Sequence, residues 1–293
     1  MKFESLNRKS APVSLREAVM QGLAPDGGLY FPDSIPAMPS NFFDDAALMS
    51  FQDIAYEMAK RYFVPDIPEA ELRRITDDAF SFDVPLKEIE PDTYVLELFH
   101  GPTAAFKDFG ARFMARTLGY FAKETGKEIT ILVATSGDTG SAVAHGFLNV
   151  PGIRVVILYP KGKVSPLQEK QLTGMGGNIT TLEVDGVFDD CQRLVKKAFI
   201  DSDISEKRSL SSANSINLGR LLPQMFYYAY ASARLQGRGK PVAISVPSGN
   251  FGNLTAGLIA KRMGAPIERF IAATNENSVV PEYLETGNYN PRA

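Results

Sequence analysis

From Tyr94 onward the chain alternates short apolar runs with longer amphipathic stretches, and that rhythm constrains the fold more than any other feature. The runs Tyr94–Phe99, Ile129–Ala134, Arg154–Tyr159, Asn178–Val184, Val242–Val246 and Arg269–Ala273 read as strands. Phe109–Thr125, Ser141–Asn149, Ser165–Thr173, Phe188–Phe199, Leu218–Leu235 and Asn253–Met263 read as helices. A nearly unbroken apolar run such as Ile129-Thr130-Ile131-Leu132-Val133-Ala134 suits a strand covered on both faces, as in a parallel sheet flanked by helices. In that architecture ligands collect beyond the carboxyl ends of the strands. The expected class is therefore α/β, with mostly parallel sheets covered by helices.

Residues 1–85 have another texture. Ser14-Leu15-Arg16-Glu17 is a capping box opening a helix over Leu15–Gly22, and Pro25-Asp26-Gly27-Gly28 is a turn into the short strand Leu29–Phe31. Helices are expected at Phe51–Tyr62 and Glu69–Phe80, separated by breaks at Pro65 and Pro68. This predicts a small helical N-terminal domain over 1–85 ahead of an α/β region over 86–293.

Composition removes several function classes. With 293 residues and 44% hydrophobic content, the chain can bury a substantial core. A net charge of −3 lacks the basic excess that nucleic-acid binding needs. No apolar run approaches a membrane span, and the polar opening Met1–Ser10 is unlike a secretory signal, so a cytoplasmic protein is expected. One cysteine, Cys191, and two histidines are too few for a thiolate or imidazole metal site, so no metal is expected.

The run His100-Gly101-Pro102-Thr103-Ala104-Ala105-Phe106-Lys107-Asp108-Phe109-Gly110 places a lysine where a strand gives way to a helix. The positive end of a helix disfavours a second positive charge, which eases Lys107 toward the neutral, nucleophilic amine that imine chemistry requires. A solvated lysine on a first helical turn is the competing reading, and the surrounding residues alone leave both open. His100 is open to base catalysis or to a local hydrogen bond, His145 fits packing within its helix, and Cys191 reads as buried and inert.

Three further motifs fall between strands and helices. Thr135-Ser136-Gly137-Asp138-Thr139-Gly140 follows a strand and opens a helix, and its small residues and helix-start amides suit a carboxylate or a phosphate. Ser248-Gly249-Asn250-Phe251-Gly252-Asn253 has the same setting, with a hydroxyl and approachable amides for one phosphate group. The polar run Ser211–Arg220 offers Asn214, Ser215 and Arg220 to an anionic substrate, with Asn217 as a helix N-cap or ligand contact. No Walker loop, dinucleotide glycine fingerprint, serine-hydrolase elbow or zinc-protease motif occurs, so nucleotide binding is unsupported.

A lysine of this kind with a phosphate cup and no nucleotide fingerprint points to pyridoxal phosphate. The run His100–Gly110, with Thr135–Gly140, Asn214–Asn217 and Ser248–Asn253, resembles the threonine synthase family of the tryptophan-synthase-β-like, fold type II pyridoxal phosphate enzymes. Ala24-Pro25-Asp26-Gly27-Gly28-Leu29-Tyr30 is also similar to that family's N-terminal domain. The resemblance implies Lys107 as the Schiff-base lysine and Ser248, Gly249, Asn250, Phe251, Gly252 and Asn253 as the cofactor phosphate loop, with Asp138 near the pyridoxal hydroxyl. It implies that Thr135, Ser136, Gly137 and Thr139 receive the substrate carboxylate, and that Asn214, Ser215, Asn217 and Arg220 belong to the substrate side. The implied substrate is O-phosphohomoserine: an α-proton and a β-proton leave, the γ-phosphate is expelled, and water adds at the β-carbon to give threonine. Lys107 would carry the protons. Family members normally continue further, which implies that strands of the large domain and the residue facing the pyridine nitrogen are missing, with weak or no turnover by these residues alone. A threonine or serine dehydratase of the same fold type, or a non-catalytic binder of pyridoxal phosphate or another phospho-ligand, are the competing expectations.

Overall fold

The computed structural model describes residues 1–64, 66–215 and 217–290. The expected break at Pro65, Ile216 within the polar run, and Pro291-Arg292-Ala293 lie outside the described residues.

Strand β1 (Phe3–Ser5) pairs antiparallel with β2 (Tyr30–Pro32) around helix α1 (Leu15–Gln21). The capping box forms as expected: Ser14 Oγ accepts from Glu17 N at 3.2 Å, and Glu17 Oε2 accepts from Ser14 N at 2.9 Å. Helices α2 (Phe42–Ala46), α3 (Phe51–Phe63) and α4 (Glu69–Ala79) follow. Strand β1 and helix α2 were not expected, because so short an element leaves no readable period.

The next pair corrects the sequence reading. Strands β3 (Leu86–Glu90) and β4 (Thr93–Leu96) form an antiparallel ribbon, not the first strand of the parallel sheet. The tight turn at Asp92, with φ of +62°, folds the chain straight back onto its neighbour, and the strand ends at Leu96 instead of Phe99. Glu97–Phe106 then runs as a loop to α5 (Lys107–Thr125).

From there β5 (Ile129–Ala134), α6 (Asp138–Phe147), β6 (Ile153–Pro160), α7 (Pro166–Thr173), β7 (Ile179–Val184), α8 (Phe188–Ile200), α9 (Ser202–Ser205) and β8 (Ser209–Ser212) build a parallel sheet of order β7-β6-β5-β8. Every residue of β5 is buried, as its apolar run requires. Strand β8 went unrecognised because its serines read as loop; Ser211 and Ser212 are nonetheless buried against β5.

The expected helix Leu218–Leu235 is divided into α10 (Leu218–Leu221), a 3-10 turn at Leu222–Gln224 and α11 (Met225–Leu235). Pro223 lacks the N–H that a continuous helix would need there. Strand β9 (Ala243–Pro247), α12 (Gly252–Arg262) and β10 (Arg269–Ala273) form a second, two-stranded parallel pair, and α13 (Val279–Thr286) follows.

A large hydrophobic core runs from the N-terminal helices through α5 to α12, and a second, smaller cluster holds Leu132, Ala134, Leu158, Cys191 and Val195. Edge-on ring contacts join Phe51 to Phe80 at 5.2 Å, Phe51 to Phe109 at 5.6 Å, Phe63 to Phe113 at 5.1 Å and Phe109 to Tyr227 at 5.2 Å. Each such fully buried ring contributes about 1.5–3 kcal/mol, so α5 is held from several sides and its first turn has a fixed place.

Candidate active site

Lys107 is the first residue of α5 and half-buried. Its Nζ lies 3.5 Å from Asp138 Oδ2 and 4.6 Å from the centroid of the Phe106 ring. Asp138 is itself the first residue of α6, so the amine and the carboxylate meet where two helices begin. Gln168 fixes the carboxylate by donating Nε2 to Asp138 Oδ1 at 2.8 Å. Gln168 was absent from the sequence-based site. Its signal was the capping box Ser165-x-x-Gln168, in which Gln168 Oε1 also accepts from Ser165 N at 3.2 Å.

The loop after β5 is tied together by Thr135. Its hydroxyl accepts from Gly137 N at 3.1 Å and Gly140 N at 2.9 Å and donates to Gly137 O at 2.9 Å, with the residue only 1% exposed. The Thr135 hydroxyl is thus engaged within the loop. Gly137 is buried, whereas Ser136 and Asp138 are exposed and Thr139 is half-buried. Helix α6 begins at Asp138, three positions before the expected Ser141, because Thr135 supplies the cap from outside the helix.

The loop after β9 is held through its backbone. Ser248 N donates to Ala273 O at 2.8 Å, Ser248 Oγ to Val246 O at 2.9 Å and Asn253 Nδ2 to Pro247 O at 3.1 Å. Phe251 adopts φ of +59°, a left-handed conformation that turns the chain into α12 and leaves the first amides of that helix at the loop. A Cβ on Gly249 would meet nothing within 4 Å, and one on Gly252 would lie 3.7 Å from Ser215 Cβ. Ser215 and Gly252 therefore adjoin.

The polar run divides in two. Asn214 is half-buried with its Oδ1 buried and unpartnered, and Ser215 is exposed. Asn217 and Arg220 turn inward. Asn217, 0% exposed, donates to Val19 O at 2.8 Å and Ser212 O at 3.0 Å and caps α10 by accepting from Gly219 N at 2.8 Å. Arg220, 3% exposed, donates to Ala213 O at 2.5 Å, and burial pulls its guanidinium down to about 10 while the charge of Asp108 opposes that fall.

Phe106, Pro247 and Asn253 line one cavity of about 740 Å³, bringing the lysine motif and the loop after β9 to the same space. His100 takes the local bond, with Nε2 2.7 Å from Glu97 Oε2, and stacks on Phe99. Cys191 is buried, and burial raises its thiol above the usual range. An amine beside a fixed carboxylate, an orphaned amide oxygen at Asn214 and open space over Gly249 at a helix start together fit an aldehyde-bearing, phosphorylated ring.

Known proteins agree with that fit. Residues 2–80 match the family described as threonine synthase N terminus, and residues 84–293 match the family described as pyridoxal-phosphate dependent enzyme. Threonine synthase of Escherichia coli K12 is 48% identical across 100% of this chain, which spans 68% of that protein; the enzyme of Saccharomyces cerevisiae is 41% identical across 96% of the chain and 60% of its own length. The crystal structure of the E. coli enzyme superposes with a TM-score of 0.92, covering 100% of this chain and 68% of that one. A threonine synthase from Brucella melitensis with pyridoxal phosphate bound superposes at 0.93, with 39% identity, covering 100% of this chain and 64% of that one. The chain belongs to the threonine synthases, a family of pyridoxal-phosphate-dependent lyases.

Proposed function

We propose that the chain converts O-phosphohomoserine and water to threonine and phosphate in the cytoplasm, with Lys107 as the anchor for pyridoxal phosphate. The observation that carries the reading is the 3.5 Å approach of Lys107 to Asp138 at the joint start of α5 and α6. When bound, the cofactor supplies an electron sink for carbanion chemistry at the substrate α- and β-carbons. Lys107 would hold its aldehyde, and its amine stands as the group that would move a proton at the substrate α-carbon. Asp138, braced by Gln168, orients that amine. The Ser248–Asn253 loop receives the cofactor phosphate at the start of α12, where unpaired amides and the helix dipole favour an anion. Ser136 and Thr139 hold hydroxyls accessible to the substrate carboxylate, and Asn214 and Ser215 form the adjoining wall. The division into an N-terminal domain over 1–85 and a cofactor-binding region over 86–293 belongs to the same reading.

Adding O-phosphohomoserine to the cofactor-loaded protein tests the substrate. A shift of the cofactor absorption band with release of inorganic phosphate is expected. Ammonia release from threonine, with O-phosphohomoserine leaving the band unmoved, would assign a dehydratase instead.

A further inference from the structure

The residue after Lys107 is a carboxylate with no access to solvent. Asp108 is 0% exposed, accepts from Thr103 N at 2.9 Å and from Thr103 Oγ1 at 2.7 Å, and so pulls the preceding loop onto the first turn of α5. That loop is otherwise hard to hold. Ala104 sits at φ of +52°, a left-handed conformation that costs a residue with a Cβ, and it is braced by the turn in which Ala104 N donates to Gly101 O at 3.0 Å, by the Thr103 bonds to Asp108 and by Asp108 N donating to Ala105 O at 3.0 Å. Gly101 lies so close that a Cβ there would stand 2.5 Å from Asp108 Oδ2 and 2.9 Å from Asp108 Cβ.

A buried carboxylate also needs a counter-charge. Arg220 is a cation packed against the same helix: a Cβ on Gly110 would lie 2.7 Å from Arg220 O and 3.1 Å from Arg220 Nε, within a turn of Lys107. Arg220 Nε is buried without a hydrogen-bond partner, and Asp108 is the charge that favours its protonated form. Arg112, half-buried on the same helix, feels the same carboxylate. Successive residues of a helix point about 100° apart, so fixing the direction of Asp108 fixes that of Lys107.

We propose that Asp108 is a positioning residue for Lys107, clamping Gly101–Phe106 to the start of α5 and linking that start, through Arg220, to the Asn214–Arg220 segment beside the loop after β9. The proposal rests on the reading of Lys107 as the cofactor anchor, and the test separates the two. The full chain is stripped of cofactor and titrated with pyridoxal phosphate, following the absorption band, for Asp108→Asn, Thr103→Val, Thr103→Ser and Lys107→Ala. Amide hydrogen exchange at Thr103 and Ala104 is measured in the cofactor-free proteins, and melting temperature in all.

Asp108→Asn, which keeps the shape but removes the charge, is expected to weaken cofactor capture about tenfold or more, the order by which misplacing one reactive group acts. Thr103→Val is expected to weaken it a few-fold and to speed exchange at Thr103 and Ala104, while Thr103→Ser, which restores the hydroxyl, returns both to the wild-type values. Wild-type capture by Asp108→Asn, or Thr103→Val matching Thr103→Ser in capture and exchange, would overturn the proposal. If Asp108→Asn does not fold, the two threonine variants decide. A Lys107→Ala protein that keeps the band would instead overturn the anchor reading itself.

Discussion

The loop after β5 and the loop after β9 share a plan of strand, glycine-hydroxyl turn and helix, yet they occupy opposite surroundings. Strand β5 is buried at every residue, and its loop is closed by the three hydrogen bonds of Thr135. Strand β9 is exposed at alternate residues, has one partner strand, and leads into a loop whose Gly249 faces open space and whose Phe251 is held left-handed. One turn is shaped by the protein's own packing; the other is shaped around room for something else. Substitutions on the first side should therefore act on stability, and those on the second on ligand binding.

The largest effect tests the packed side. Phe109, two residues beyond Lys107, contacts the rings of Phe51, Phe82 and Tyr227 and is 0% exposed. Phe109→Ala should lower unfolding free energy in urea by about 3–5 kcal/mol, since little can collapse into the void. Next, Thr135→Val keeps the volume but removes the acceptor of Gly137 N and one of two acceptors of Gly140 N, which also donates to Gly137 O at 3.1 Å. Its expected loss is about 1–3 kcal/mol, and a stability unchanged from wild type would erase the contrast between the loops. On the open side, Gly249→Ala should alter stability by no more than about 0.5 kcal/mol, because its Cβ meets nothing within 4 Å. In a titration with pyridoxal phosphate the same variant should bind measurably more weakly; equal affinity would remove the loop from the cofactor site.

The smallest effect lies in a third turn that serves neither loop. The Asp26 carboxyl is held down to about 2, first by the Ser5 hydroxyl at 2.6 Å and then by the amides of Gly28 and Lys9. A folded-state value below the unfolded 3.8 means that this contribution is fully present above about pH 4 and is lost as pH falls toward 2. Asp26→Asn should flatten the stability curve between those limits and leave its slope above pH 5 unchanged. A fluorescence-monitored acid titration measures both.

Much of this arrangement was legible beforehand, for reasons particular to each element. The run Ile129–Ala134 matched its strand because an apolar run buried on both faces has few other places to go; Arg269–Ala273 also matched its strand, although it is exposed at alternate residues. Strand β8 was hidden because Ser209–Ser212 carries no apolar signal: its burial comes from pairing with β5, a long-range fact. The ribbon of β3 and β4 was misplaced because Tyr94–Phe99 has the same local pattern whether its partner is parallel or antiparallel. At the proposed site, the placing of Lys107 and Asp138 at helix starts and of Ser248–Asn253 between a strand and a helix followed the local pattern. Thr135, Asn217 and Arg220 bond within their own chain, which residue type alone does not disclose, since it does not say whether a donor faces a ligand or a carbonyl. Gln168 and Asp108 were passed over for the converse reason, since each acts on a functional group from behind it.

In the proposed function the amine of Lys107 carries the cofactor. The most direct test is the absorption spectrum of the purified chain mixed with pyridoxal phosphate, compared with that of Lys107→Ala at matched folding by circular dichroism. The account predicts a bound-cofactor band in the first protein and none in the second. The same band at the same position in both would contradict it.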